Sequence, residues 1–412
     1  MSRISLSKQI EMENEQHAFQ FFKQALCKLP DPRRRQGKRY PLELVIVVAL
    51  MATVCGADNA EAMEVWGKAN RKWLSRFLPM PHGTPTQDVF LTVFAMLDPK
   101  SFDQVLRSWA DLIRVRLKNA GKHIALDGKT SRHSYDTATE KPALHMVSAY
   151  LVDLRLVLCT TPTQEKSNEI TAIPKLLATL DLHGITVTID AMGTQKKIVK
   201  AILDGGGDYL LAVKENQPTL YTDVMTSFES IQHQTEVVCG EHPGCHVETV
   251  EETKKSHGRI ERRKVTVCRD LSKLTTTKSW PGLAFIVQVE RERTVVLTRK
   301  TSKETAYYIG TNRKASASQI AQLIRNHWSI ENTQHYVLDT AFREDQARHR
   351  AGNSSANVGV LRRFALNMIM QDTTRKHGVA IARMRACMDR SYLIQLIVGP
   401  VSPTEFSCGD ST

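Results

Sequence analysis

The stretch from residue 122 to residue 214 alternates apolar runs with amphipathic ones, and this alternation constrains the fold more than any other feature. The runs "HIALDGKT", "ITVTID" and "YLLAVK" are typical of buried strands, whereas "SNEITAIPKLLATLDLHG" and "GTQKKIVKAILDGGG" are typical of helices. Between them, "LHMVSAYLVDLRLVLCTTPT" predicts a strand pair around a turn at residues 152–154. A strand triplet followed by alternating helices and strands predicts an α/β layer with a mixed sheet.

The segments on either side of this stretch have other patterns. Residues 1–118 place apolar side chains at helical spacing in five segments, which predicts an all-helical module. Residues from about 216 to 310 read as a β-rich insertion, and a long helix, "SASQIAQLIRNHWSIENTQHYVLDTAF", follows it. We therefore expect a helical N-terminal domain at 1–118, an α/β domain at 119–372 and a tail at 373–412.

Three acidic residues stand where an α/β fold would bring ligands together. Asp127 follows the first strand, Asp190 follows the strand "ITVTID", and Glu331 lies on the long helix. If the two strands are neighbours, Asp127 and Asp190 meet at one edge of the sheet, and a helix crossing that edge could add Glu331. Three carboxylates suit Mg²⁺ or Mn²⁺, and two such ions can activate water for phosphodiester cleavage.

Each of these acids also has a purely structural interpretation. Asp127 could open a turn, Asp190 could cap the helix that follows it, and Glu331 could pair with His335 or Arg325 on the helix surface. The spacing of the residues leaves both interpretations open. On a continuous α-helix, Glu331 and His335 would share a face with Trp328. We expect the Trp328 indole in the core, and the alternative is an exposed indole that stacks on a displaced base.

The chain is strongly basic, with 56 Lys and Arg residues against 43 Asp and Glu residues and a net charge of +13. Such a surplus favours a polyanionic partner, of which nucleic acid is one, although a basic protein without such a partner remains the alternative. The basic residues that we predict to contact DNA are Arg33, Arg34, Arg35, Lys129, Lys214, Arg259, Arg262, Arg263, Arg325, His335, Arg348 and Arg350. Contacts to the DNA backbone make affinity salt-dependent and carry little sequence information. The helical module could bind DNA or simply cover the next domain.

No apolar stretch of the sequence has the length of a membrane helix. The most apolar one, residues 44–55, is much shorter than the roughly 20 residues that a bilayer requires. The N-terminal segment "MSRISLSKQIEMENEQ" lacks the apolar centre of a signal peptide. We expect a cytoplasmic protein that is associated with the nucleoid when it binds DNA.

Several motifs resemble the DDE-type insertion-sequence transposases, and among them the branch of the H-repeat-associated proteins. These motifs include "IALDGKT", "TIDAMGTQ", "GGDYLLAVKENQ", "HWSIENTQHYVLD" and "FREDQARHRAGNSSANVGVLRRFALN". They follow one another in the order found in that family, and the likeness runs from about residue 30 to residue 372.

The resemblance implies an RNase H-like fold for the α/β domain and a DDE triad at Asp127, Asp190 and Glu331. It implies two Mg²⁺ or Mn²⁺ ions as cofactors, hydrolysis at transposon ends and attack of the freed 3′-hydroxyl on target DNA. Because two DNA ends have to be brought together, we expect a homodimer on double-stranded DNA. A structure-selective nuclease on the same fold and an inactive DNA-binding remnant are the alternatives.

The chain departs from the family pattern around the third acid. Related enzymes often carry a Tyr, an Arg and a Lys there, whereas this chain has Ile324, His327 and either Leu338 or Asp339 at those positions. The phosphate contacts of that signature are therefore not carried over to this chain.

Overall fold

The computed structural model describes residues 25–117, 121–135, 140, 142–163, 168–237, 247–256 and 258–398. The first predicted helix, at residues 17–29, lies mostly outside the described residues, as does the end of the predicted tail. The chain forms two compact units, each built from separated segments. The first unit contains residues 1–120, 128–166 and 331–412, and the second contains residues 121–127 and 167–330.

The described residues form twelve α-helices and nine strands. The helices are α1 (Leu42–Val54), α2 (Ala60–Leu74), α3 (Gln87–Met96), α4 (Pro99–Arg116), α5 (Glu169–Leu177), α6 (Lys196–Asp204), α7 (Pro218–Val237), α8 (Ala317–His327), α9 (Tyr336–Thr340), α10 (Ser354–Met370), α11 (Val379–Met388) and α12 (Arg390–Val398). The strands are β1 (His123–Thr130), β2 (His145–Leu151), β3 (Leu156–Thr163), β4 (Thr186–Ile189), β5 (Asp208–Val213), β6 (Val247–Ser256), β7 (Arg259–Cys268), β8 (Phe285–Val295) and β9 (Thr301–Gly310).

The helices of the first unit surround two that are buried along almost their whole length. Every residue of α1 except Glu43 is buried, and every residue of α10 except Met370 is buried. A helix that is apolar on all sides requires neighbours on all sides, which explains why α1 lies inside the helical module. Asn59 and Asp98 cap α2 and α4 by accepting hydrogen bonds from backbone N–H groups in the first turn. The helical N-terminal module is confirmed.

The first unit also contains β2, β3 and the last three residues of β1. β2 and β3 form an antiparallel hairpin whose register runs from His145 opposite Thr163 to Leu151 opposite Leu156, as the sequence predicted. Side chains from the helices satisfy the backbone of β3. The Asn367 amide exchanges hydrogen bonds of 2.8 Å with the N–H and the C=O of Val157. Such contacts replace the ladder partner that an edge strand lacks.

The second unit contains residues 123–127 of β1 and, beside them, the strand order β4-β5-β9-β8-β7-β6. β1, β4 and β5 are parallel, whereas the strands from β5 through β9 to β6 pair antiparallel. This arrangement confirms the mixed-sheet, RNase H-like α/β fold. The core on one part of this sheet is formed by residues such as Val267, Val287 and Ile320, none of which is exposed to solvent. In the described residues, no helix combines the length and the apolar character needed to cross a bilayer.

Two parts of the second half differ from the sequence-based expectation. The insertion is β-rich only from Val247 onward, because residues 218–237 form α7, whose Leu220, Val224 and Phe228 are buried at helical spacing. The long helix is not continuous: α8 ends at His327, a π-helical turn covers Ile330–His335, and α9 follows.

Candidate active site

Asp127 and Asp190 are brought side by side by the pairing of two parallel strands. The register of β1 and β4 places Leu126 opposite Ile189, so the two acids are the next residues on neighbouring strands. Adjacent strands lie about 4.8 Å apart, which puts the two backbones within reach of a shared ligand. Both residues are half-buried. β1 itself continues to Thr130, so Asp127 marks the end of its pairing with β4 and not the end of the strand.

Asp190 does not cap the helix that the sequence offered as its structural partner, because the N-cap of α6 is Gln195. Asp190 is instead the N-cap of a single 3₁₀ turn at Ala191–Gly193, and its Oδ1 accepts a hydrogen bond of 3.3 Å from the N–H of Gly193. A cap uses one carboxylate oxygen and leaves the other for a second partner. The cap therefore orients the carboxylate without excluding a ligand role.

Gly193 is required by the close approach of this turn to β4. A Cβ atom added at Gly193 would lie 2.2 Å from Cγ2 of Ile189, which is buried. We expect Gly193→Ala to displace the turn that carries Asp190 and to lower the free energy of unfolding by about 1–3 kcal/mol, the usual cost of overpacking. Chemical denaturation measures this change. Gly378→Ala is the control, since nothing lies within 4 Å of the added Cβ there, and an equal loss in both variants would contradict the close-approach explanation.

A polar segment after β5 holds the same turn from the other side. The Asn216 side chain donates a hydrogen bond of 2.6 Å to the C=O of Ala191, and the Gln217 side chain donates one of 2.9 Å to the C=O of Thr194. The Thr194 hydroxyl donates in turn to the C=O of Ala212 on β5, at 2.5 Å. The motifs "TIDAMGTQ" and "KENQ" are thus one hydrogen-bonded unit. The sequence analysis missed these positioning residues, although a polar run directly after a strand is a usable signal.

A cavity of about 860 Å³ lies next to this turn in the second unit. The residues around it include both acidic and basic side chains and several aromatic rings. Among them are Asp190, Lys214, Tyr221, Tyr307, His327 and Trp328. Lys214 is exposed and lines the same cavity as Asp190, which suits a phosphate contact. The expectation that Trp328 belongs to the core is wrong, since 41% of its surface is exposed.

A hydrogen-bonded chain of two histidines and a threonine lies beside Asp190. The Thr188 hydroxyl is 2.7 Å from Nε2 of His123 and 2.9 Å from Nδ1 of His327. Burial lowers the pKa of His123 to about 3, with a further contribution from His327. Burial lowers the pKa of His327 to about 4, although Asp190 opposes the shift. Both rings are neutral near pH 7, so His327 supplies no cation at the position where related enzymes often carry an arginine.

Glu331, the third predicted acid, lies in the first unit on the π-helical turn. Its side chain is exposed, whereas the following residues hold the turn against β2. The Thr333 hydroxyl lies 2.7 Å from the hydroxyl of Tyr150, and the Gln334 side chain donates a hydrogen bond of 2.9 Å to Oγ of Ser148. π-Helical turns are rare and are frequent at functional sites. This irregularity explains why the face predicted from α-helical spacing does not apply after His327.

A buried ion pair lies beneath this turn in the first unit. The Arg363 guanidinium is 2.7 Å from the Glu344 carboxylate, and the two side chains are 0% and 1% exposed. Arg363 also donates to Oγ of Ser148 and to the C=O of Gly359. Burial by itself would raise the pKa of Glu344, but the positive charges of Arg363 and its neighbours outweigh burial and lower it. Arg363 therefore has a structural role in the core of the first unit.

Lys129 also forms ion pairs within the first unit. It is 7% exposed, and its Nζ lies 2.7 Å from Asp339 and 3.2 Å from Asp345. Burial raises the pKa of Asp339, and the lysine opposes that rise. His335 is likewise unsuited to the predicted phosphate contact, because burial lowers its pKa to about 3 and keeps the ring neutral.

The other predicted DNA contacts divide by their surroundings. Arg33 is 6% exposed and pairs with Asp31 at 2.9 Å, so it does not fit the predicted role. Several residues pair with a nearby glutamate or contact a ring, namely Arg262 with Glu251, Arg263 with Glu261, Arg325 with Glu252, and Arg350 over the Tyr135 ring. Of the predicted contacts within the described residues, those that are exposed and form no ion pair are Arg34, Arg35, Lys214, Arg259 and Arg348.

The pair Asp127 and Asp190 fits a hard divalent cation, because carboxylate oxygens are the ligands that Mg²⁺ and Mn²⁺ prefer. Over the ranges that the structure describes, no group of three or more His, Cys, Asp or Glu residues is arranged to hold an ion. Which residue completes the ligand set therefore stays a prediction.

Two family profiles match the chain. The profile described as "Transposase DDE domain" matches residues 118–368, and the profile described as "DDE_Tnp_1-associated" matches residues 23–110. The first match covers more than half of the chain.

Curated relatives are similar over nearly the full length. YbfL of Escherichia coli strain K12 is 34% identical, over 90% of this chain and 96% of its own. YhhI of the same strain, provisionally named an H repeat-associated transposase, is 33% identical over 90% of this chain and 96% of its own. The solved piggyBac transposase synaptic complex with hairpin DNA gives a TM-score of 0.36 at 10% identity, covering 95% of this chain and 80% of that chain, which is too weak to support a conclusion.

The fold and the two acids define the class as an α/β protein with an acidic site where the parallel pairing of β1 and β4 ends. The family match makes the assignment specific: the chain belongs to the family of the transposase DDE domain. This is a family of enzymes that cleave and join DNA, and the resemblance found in the sequence is confirmed.

Proposed function

We propose that this protein is the transposase of an insertion sequence, which cleaves the ends of its element and joins the freed 3′-hydroxyl groups to target DNA. One observation carries the proposal, namely the parallel register in which Leu126 is opposite Ile189. That register brings Asp127 and Asp190 together at the sheet edge, and the family match supplies the chemistry that such a pair would serve.

In this proposal Asp127 and Asp190 hold the cofactor, and Glu331 completes the triad. When bound, two Mg²⁺ or Mn²⁺ ions supply an activated water and stabilise the leaving oxygen of the phosphodiester. The cap from the Gly193 N–H and the hydrogen bonds of Asn216 and Gln217 keep the Asp190 carboxylate in one orientation. Fixed orientation matters because a misplaced ligand loses much of the rate.

The DNA contacts that we retain are the exposed cations Arg34, Arg35, Lys214, Arg259 and Arg348. An exposed guanidinium or ammonium releases counterions when it neutralises a phosphate, whereas a cation already paired with a glutamate gains less. Lys214 is the best placed of them for the reacting strand, because it lines the same cavity as Asp190.

The remaining parts of the proposal follow from the reaction. Two transposon ends have to be held together, so we propose a homodimer on double-stranded DNA, acting in the cytoplasm at the nucleoid. We also retain the domain division at residues 118 and 372 as a proposal, with the helical module as the DNA-binding domain. The matched profiles begin and end close to these positions.

The test is an assay of strand transfer. Inverted repeats bounded by short direct duplications are first identified in the DNA that flanks the gene. The purified chain is then incubated with Mg²⁺, an end-labelled duplex carrying one repeat, and a supercoiled target plasmid. We expect cleavage at the repeat boundary and labelled plasmid, and we expect EDTA to remove both products because the chemistry requires a divalent ion.

The other outcomes identify the alternatives. Cleavage without joined plasmid would indicate a structure-selective nuclease on the same fold. Binding of the duplex without cleavage in either Mg²⁺ or Mn²⁺ would indicate an inactive remnant and would overturn the proposal.

A further inference from the structure

The strands β6 to β9 extend beyond the core of the second unit as a four-stranded arm. The residues of β7 and β8 nearest the core, such as Val267 and Ile286, are fully buried, whereas Thr301–Thr305 of β9 are exposed. Five residues of strand span about 17 Å, so the far end of the arm stands well away from the core. We call residues 255–260 and 293–300 the arm tip, of which the structure describes all but residue 257.

The shaft of the arm is balanced in charge. Cross-strand pairs join Arg262 to Glu251 at 2.5 Å and Lys264 to Glu290 at 3.3 Å. Opposite charges across a strand pair stabilise the sheet and leave little field for a distant polyanion. The shaft therefore accounts for much of the basic run "KKSHGRIERRK" without any DNA contact.

The arm tip has the opposite character. It contains five Lys and Arg residues and no Asp or Glu. These cations are Lys255, Arg259, Arg293, Arg299 and Lys300, and all five are exposed. Arg293 lies opposite Glu261 in the register of β7 and β8, and the other four cations leave the tip with a surplus of positive charge at the end of a nearly neutral shaft.

Three exposed apolar side chains lie among these cations. Leu297 is 92% exposed, Val296 is 43% exposed and Ile260 is 38% exposed. Leu297 lies at the apex of the β8–β9 turn, which is closed by a hydrogen bond of 2.9 Å from the Val295 N–H to the Lys300 C=O. A second hydrogen bond of 2.9 Å, from the Val296 N–H to the Gly258 C=O, joins this turn to the β6–β7 turn. Two hydrogen bonds therefore hold the turn that carries Leu297, and the Leu297 side chain is almost fully exposed.

We propose that the arm tip is a DNA wedge: Leu297, supported by Val296, inserts between base pairs from the minor groove, while Arg299 and Lys300 bind the flanking phosphates. The inference rests on the proposed function for its DNA partner and adds the mode of binding. Proteins that kink DNA use this combination of an apolar side chain with flanking cations. An apolar protein groove is a poorer match, because it would have to desolvate five positive charges.

The test uses the full-length chain in EDTA, so that no strand is cut. The probes are a 40-base-pair duplex of mixed sequence and the same duplex with a central two-base mismatch, each with a fluorophore pair at its ends. Because a mismatch removes much of the unstacking cost, we expect wild type to bind it roughly fivefold or more tightly than the intact duplex, with a bend detected as increased energy transfer. In Leu297→Ala the preference is expected to fall to about one and the bend to disappear.

Two variants control for other effects. Met388→Ala removes another highly exposed apolar side chain, 77% exposed on α11, and is expected to behave as wild type. Leu297→Met keeps an apolar wedge and is expected to retain both the preference and the bend. A thermal melt of each variant shows whether the fold is intact.

The outcomes separate this inference from the proposed function. Binding of both duplexes with the preference and bend unchanged in Leu297→Ala would overturn the wedge and leave the DNA partner standing. A change in Leu297→Ala confined to the oligomeric state, measured by light scattering, would identify the tip as a contact between copies and would also overturn it. Failure of wild type to bind either duplex would instead reject the DNA partner and, with it, the wedge.

Discussion

Replacement of Asp190 by asparagine is expected to lower metal-dependent DNA cleavage by about three orders of magnitude or more. Bound divalent ions contribute several kcal/mol of transition-state stabilisation, and about 4 kcal/mol corresponds to a thousandfold in rate. Asparagine is nearly isosteric and its side-chain oxygen can still cap the Gly193 N–H, so the fold should be kept. DNA affinity should be unchanged or slightly increased, because a negative charge has been removed.

The matched control is Asp204→Asn, since Asp204 is an exposed acid at the end of α6 in the same unit. It should cleave as wild type does. Asp127→Asn should match Asp190→Asn, and the double variant should be no worse than either single one, because residues that act as a unit are not additive. Cleavage by Asp190→Asn at the wild-type rate, with purified protein and defined ends, would rule out its metal role and leave only the cap.

Replacement of Arg363 by methionine is expected to destabilise the protein by about 3–5 kcal/mol, the usual cost of leaving one member of a buried ion pair without its partner. The side chains of Arg363 and Glu344 are buried, with 0% and 1% of their surface exposed to solvent. Without the Arg363 guanidinium, only Arg362 and Lys129 oppose the effect of burial on Glu344. We therefore expect the pKa of Glu344 to rise in the variant, so that the carboxylate takes up a proton more readily as the pH falls. The loss of stability should therefore be largest near pH 7 and smaller near pH 5.

Urea unfolding of three variants tests this. Lys68→Met breaks an ion pair with Glu64 in which the lysine side chain is 64% exposed, and it should cost no more than about 1 kcal/mol. The double variant Arg363→Met/Glu344→Gln should be more stable than Arg363→Met alone, because no buried charge is then left unpaired. A double variant that is as unstable as the single one would show that Arg363 acts through its hydrogen bonds to Ser148 and Gly359 instead.

The central part of the fold was predictable because its hydrophobic pattern is local. Apolar runs such as "ITVTID", bounded by turn residues, specify β4 and the strands beside it, and the hairpin of β2 and β3 follows from its central turn. The acids at the strand ends were visible for the same reason. α7 was less visible, since its buried residues Leu220, Val224 and Phe228 are separated by polar positions within a segment dominated by strands.

The environment of individual charges was not predictable in the same way. Arg33, Lys129 and Arg363 belong to basic or mixed runs that resemble exposed DNA contacts, yet each is buried against a carboxylate. Lys129 pairs with Asp345 and Arg363 pairs with Glu344, and in both pairs the carboxylate lies on a different element of the chain. The local residue pattern of a sequence does not indicate such pairs. The π-helical turn at Glu331 was unpredictable for the same reason, because the residues that hold it, Ser148 and Tyr150, lie on a strand far upstream in the sequence.

The sequence by itself determined the alternating α/β pattern, the basic surplus, the family and the identity of the three candidate acids. These properties depend on residue type and local spacing, both of which can be read from the sequence. Only the tertiary structure decided that Asp127 and Asp190 are neighbours in register, and which cations are neutralised within the fold. It also decided that the Leu297 side chain is 92% exposed. These properties depend on long-range pairing and burial, whose energies arise only when separated segments meet.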